Sequence, residues 1–167
     1  MRKLRLILFV LSLTFLLWGV AAGRAIAQTA APLRGVTSVQ IDPTVIPDPK
    51  TVKEPSASNL VQDSLRNAFR LANIATADGA PVRAHIVLDE FTSGSTAKRV
   101  LIGLGAGRSS ITCRLVLEDA QGKEIANTKL KVRGSLAWSP YEGNNTQRRQ
   151  AVNSFDQRLL EEIERSK

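Results

Sequence analysis

Ile86 to Lys123, IVLDEFTSGSTAKRVLIGLGAGRSSITCRLVLEDAQGK, reads as a strand, an apolar run broken by glycines, and a second strand. Gly103, Gly105 and Gly107 stand at every second position, and glycine admits backbone angles and close approaches that a Cβ forbids. Two phosphate-binding patterns are excluded. A dinucleotide loop needs G-x-G-x-x-G between a strand and a helix, but here the spacing differs and the strand-like SSITCRLVLED follows. A P-loop needs Gly-Lys-Ser/Thr ahead of a helix, and Gly107-Arg108-Ser109 has no lysine. A connection between two strands is the reading that remains.

Working outward, Val82, Ala84, Ile86 and Leu88 alternate with Arg83, His85, Val87 and Asp89, so a strand over Val82 to Phe91 has one apolar face. Beyond the glycines, Ser110 to Asp119 alternates in the same way, and Ala120-Gln121-Gly122-Lys123 turns into a strand from Glu124 to Ala137. Further upstream, Thr37, Val39 and Ile41 share a face in a first strand, Gly35 to Asp42. Prolines 43, 47, 49 and 55 then enforce an extended connector. Ser56 or Ser58 caps a helix with Val61, Leu65, Ala68, Phe69 and Ala72 on one side, ended by Asp78-Gly79 and Pro81. A turn region from Trp138 to Gly143 leads to a last helix, capped by Asn144 or Asn145, with the stripe Val152, Phe155, Leu159 and Ile163. Its Arg148 and Arg149 lie near the start and Glu161, Glu162 and Glu164 near the end, against the helix dipole. Glu161 and Arg165 have the spacing of an ion pair. The expected fold is an α+β two-layer sandwich in the order β-α-β-β-β-α. It has a mainly antiparallel four-stranded sheet, two helices on one face, and the basic face of the strands open to solvent.

The chain opens MRKLRLILFVLSLTFLLWGVAAGRAIA, basic, then apolar, then A-x-A, which is the order of a secretory signal cleaved after Ala27. Residues 1–27 are read as the signal, 28–34 as a flexible lead-in, and 35–167 as one domain in the periplasm or outside the cell. Cleavage removes four basic residues, so the charge of +8 falls to +4, with 19 basic residues against 15 acidic. That balance, with export and few aromatics, argues against nucleic acid. Membrane contact is expected only through an uncleaved signal or a peripheral apolar loop. Cys113 is the only cysteine, so no internal disulfide forms. Its place beside Ile111, Leu115 and Leu117 marks it as a core residue.

Catalysis finds little support. His85 is the only histidine and lies mid-strand on a polar face without a partner motif. In an antiparallel pair, Asp89 and Glu90 fall at the opposite end from Glu118 and Asp119, too far apart to flank one bond. The linear spacing of His, Cys and carboxylates matches no metal site. No cofactor, metal or catalytic residue is expected.

Ser93-Gly94, Lys98-Arg99, Gly103-Leu104-Gly105-Ala106-Gly107 and a strand ending in Asp119 before Gly122-Lys123 together resemble a bacterial family, the domain of unknown function 4410. The resemblance is strongest from Val82 to Gly134. It implies an envelope protein of a Gram-negative bacterium and an α+β fold, and it brings no catalytic residues. Many relatives look like lipoproteins, whereas this chain lacks a cysteine that would take the lipid. The expected role is a non-enzymatic interaction or assembly module that docks another envelope protein or a second copy. Lys98, Arg99, Leu101, Gly103, Leu104, Gly105, Gly107 and Arg108 form its contact segment. The alternatives are a binder of lipopolysaccharide, peptidoglycan or anionic lipid through Arg114, Lys129, Lys131 and Arg133, and a small enzyme using His85.

Overall fold

The computed structural model describes residues 31–52, 54–95, 107–134 and 144–167. Its elements are β1 (Ser38–Ile41), α1 (Ala57–Leu71), β2 (Ala75–Thr76), β3 (Val82–Thr92), β4 (Ser110–Asp119), β5 (Glu124–Arg133) and α2 (Asn144–Arg165). The α+β class holds, but the sheet has five strands in the order β2-β1-β3-β4-β5 and is mixed. β3, β4 and β5 pair antiparallel, β4 and β5 across the short turn 120–123 that only an antiparallel pair allows. β1 instead runs parallel to both β2 and β3. The proline-rich connector and α1 supply the long crossover that a parallel pair needs. That connector is itself half-paired, because Val45 bridges Val87 and Val52 bridges Phe91.

The first helix ends earlier than Asp78-Gly79. Asn73 takes a left-handed φ of 58°, its N–H donates to Arg70 O, and the N–H of Ile74 donates to Phe69 O. This is the two-bond pattern that closes a helix through an αL residue. Ile74 is buried behind it, and the chain goes directly into β2, too short to show in a hydropathy pattern. At the other end Ser56 precedes α1 without capping it through its side chain. Its hydroxyl donates to Glu54 Oε1 at 2.9 Å instead.

One core joins the layers. The sheet contributes Val39, Val82, Ala84, Ile86, Leu88, Phe91, Ile111, Cys113, Leu115, Leu117, Leu130 and Val132, and the helices contribute Val61, Leu65, Phe69, Phe155, Leu159 and Ile163. Both helical stripes are therefore where their spacing placed them, on the same face of the sheet. Strict alternation in β3 would turn Phe91 outward. A register shift between Leu88 and Glu90 makes Asp89 the extra residue of a bulge and returns Phe91 to the core.

Leu33, within the stretch expected to be a loose lead-in, is buried, and its N–H donates to Ser166 O at 2.7 Å. The folded unit thus begins before Gly35. On α2 the expected Glu161–Arg165 pair gives way to Arg158–Glu161 at 3.0 Å and Arg165–Glu162 at 2.8 Å. The signal segment, the remainder of the strand read to Ala137, and the turn region 138–143 lie outside the described residues.

Candidate functional site

The root of the glycine-rich connection is closed by backbone. Gly94 has a φ of +89°, and the N–H of Ser95 donates to Gly107 O at 2.7 Å. The chain therefore leaves β3 and returns to β4 at a single point. The neighbouring edge is tied by Gly134 N–H to Ser109 O at 2.8 Å. Of the expected contact residues, Gly107 and Arg108 stand at this root, both half-buried. Lys98, Arg99, Leu101, Gly103, Leu104 and Gly105 lie outside the described residues. Two polar atoms at the root, Arg108 Nε and Ser109 Oγ, are buried without a hydrogen-bond partner among the described residues, an arrangement that costs stability and calls for a reason.

The basic row lies on the sheet face opposite the helices. Lys129, Lys131 and Arg133 alternate with the core residues Leu130 and Val132 and are exposed. Arg114 sits directly across from Lys129, but its guanidinium is held by Asp89, with Nη2 at 3.1 Å from Oδ1. Among the described residues the row therefore keeps three cations without an ion-pair partner, all on an edge strand, where lysines also discourage pairing with another sheet. The middle of this face is less open than its pattern suggested, since Val87, Thr112 and Val116 are buried.

A third grouping had no linear signature. Asp42, just past β1, His85 on β3 and Glu118 on β4 bring their ligating atoms within 4.8 Å of one another, all three half-buried. The parallel β1–β3 pairing is responsible: the N–H of Asp42 donates to Ala84 O, and Glu118 lies opposite Arg83. Three adjacent strands thus present one residue each at the same level. Arg83 lies among them, its Nη2 2.6 Å from Asp42 Oδ2 and its Nη1 3.9 Å from Glu118 Oε2, while Gln40 donates to Asp42 Oδ1 at 3.0 Å. The carboxylate pairs Asp89/Glu90 and Glu118/Asp119 do fall at opposite ends of the β3–β4 ladder. Asp119 serves its turn, accepting the N–H groups of Gln121 and Lys123.

Cys113 faces the core, on the side of the sheet away from His85, and is fully buried. Burial, assisted by the Asp89 charge, pushes its thiol up from 9.0 to about 12, so it stays protonated and unreactive at physiological pH. A thiol reagent such as Ellman's is expected to label it only after unfolding. Because the folded thiol titrates higher than the unfolded one, its contribution to stability is intact below pH 9 and is lost as pH rises towards 12. Cys113→Ala should flatten that part of the stability profile, read from urea midpoints across the alkaline range.

The family model for the domain of unknown function DUF4410 matches residues 33–137. The chain belongs to this family. The match includes the Val82–Gly134 stretch where the resemblance is strongest, reaches upstream to residue 33 as the weaker resemblance over the mature chain implies, and stops short of α2. No curated protein matches this DUF4410 chain. Among solved structures it is similar to a PelC dodecamer from Paraburkholderia phytofirmans, with a TM-score of 0.53 and 12% identity over 78% of this chain and 88% of that one. It is also similar to XCC0632 from Xanthomonas campestris, of the family DUF330, at a TM-score of 0.55 and 12% identity, covering 77% and 82% of the two chains. A minor lipoprotein from Acinetobacter baumannii aligns at a TM-score of 0.50 and 13% identity over 78% and 94%. At such identities these likenesses establish the fold alone. Among the described residues of the DUF4410 chain no helix is long and apolar enough to cross a membrane.

Proposed function

We propose that the chain is an exported, non-enzymatic protein of the cell envelope that assembles through its glycine-rich segment 98–108, first of all with further copies of itself. The observation that carries this reading is the closed root. Ser95 and Gly107 are hydrogen-bonded, so the described residues on either side of the sequence 96–106 are held together at the end of the β3–β4 pair. Arg108 Nε and Ser109 Oγ at that root are buried without partners among the described residues, and an assembly that reorders the root can satisfy them. The similar PelC fold occurs as a dodecamer, which makes self-association of this scaffold physically reasonable. The one thiol, buried and protonated, offers no nucleophile. The leader MRKLRLILFVLSLTFLLWGVAAGRAIA supports export.

Photo-crosslinking in cells, from a reactive side chain placed at position 101 or 104, is expected to trap a second copy of the chain. A second reading rests on the exposed row Lys129, Lys131 and Arg133, which suits an anionic envelope polymer. Under that reading binding weakens steeply with added salt, and changing the row, not positions 101 and 104, abolishes it.

A further inference from the structure

We propose that Asp42, His85 and Glu118 form a binding site for a divalent first-row transition metal ion, of which zinc is the natural probe. The three side chains come from three adjacent strands, and their donor atoms already lie within 4.8 Å of one another. A tetrahedral zinc site with ligand bonds of about 2.0–2.2 Å brings its donors closer than that. Rotation of two half-buried carboxylates supplies the difference without moving the sheet. Among the described residues the His85 ring makes no hydrogen bond, so its lone pair is available. One imidazole nitrogen with two carboxylate oxygens favours zinc, copper or nickel over calcium and magnesium, which prefer all-oxygen shells.

Arg83 holds the position that the ion would take. Its guanidinium neutralises Asp42 at 2.6 Å and stands 3.9 Å from Glu118. It is more exposed than either carboxylate, at 41% against 15% for Asp42 and 22% for Glu118. A long side chain so exposed can swing into water when a dication arrives. Arginine and metal are thus competing counter-ions for one pair of carboxylates, and the site is tuned to bind weakly unless the metal is plentiful. It is separate from the glycine-rich root and does not depend on the assembly reading.

The test is titration calorimetry of the purified, untagged protein with zinc, and with magnesium as the hard-ion control. One zinc per chain is expected, with no magnesium heat. His85→Ala should weaken zinc by at least about tenfold, the scale set by losing even an indirect ligand contact. Arg83→Ala should tighten it by about tenfold, since a positive charge leaves the vicinity of a dication. Tightening cannot arise from misfolding, so that variant protects the conclusion if His85→Ala proves unstable. No zinc heat at millimolar concentration would overturn the proposal. Zinc binding that His85→Ala leaves intact, or that Arg83→Ala weakens, would do the same.

Discussion

Phe155→Ala is expected to lower the free energy of unfolding by about 3–5 kcal/mol, the usual cost of emptying a phenylalanine site in a packed core. Phe155 is fully buried in α2, in one cluster with Leu65 and Phe69 of α1 and Leu130 of β5. α2 packs on α1, β4 and β5 together, so a cavity there loosens both layers at once. Domains of this size are stable by about 5–15 kcal/mol, and the variant would forfeit a large part of that. Urea unfolding followed by circular dichroism should show a lower midpoint at an unchanged slope. Leu71→Ala is the control: Leu71 lies on α1 at 50% exposure, and its truncation should stay within about 0.5 kcal/mol. Equal losses in the two variants would mean that α2 does not close the core. The point matters because α2 lies beyond residue 137, where the family match ends, yet the sheet relies on it for cover.

The second large effect is expected at Gly94. A Cβ there would sit 2.9 Å from Gly107 O and 3.1 Å from Ser109 N, both backbone atoms that cannot rotate away, and φ is already +89°. Gly94→Ala should therefore cost about 2–3 kcal/mol, combining left-handed strain with a displaced hairpin root. Gly122→Ala separates the two contributions. Its φ is +76° but nothing lies within 4 Å of the added carbon, so it should lose only about 1 kcal/mol from strain alone. Thermal unfolding of the pair, side by side, reads the difference. If Gly94→Ala is the milder of the two, the Ser95–Gly107 closure is not a rigid anchor.

Much of the scaffold was legible because period-two and helical patterns are local. β4 runs from Ser110 to Asp119 as its alternation indicated, and the stripes Val61-Leu65-Phe69 and Phe155-Leu159-Ile163 are buried. What escaped depends on distant partners or on single residues. The parallel β1–β3 pairing depends on how the connector lies against β3, which no pattern within Pro43–Pro55 encodes. The bulge at Asp89 adds one residue to an otherwise regular strand. The end of α1 turns on one left-handed Asn73, an option open to many asparagines. The Asp42–His85–Glu118 grouping was invisible for the same reason as the parallel pair that creates it. Of the expected contact segment, only Gly107 and Arg108 lie among the described residues, and the rest stands as a proposal.

Crosslinking in the intact envelope, comparing a photoreactive residue at position 104 with one at the exposed edge-strand position 131, tests the assembly role most directly. The expected result is a homodimeric adduct from position 104, identified by mass and by co-purification of a second, differently tagged copy, with position 131 silent. An adduct from position 131 and none from 104 would contradict it and move the contact to the basic row.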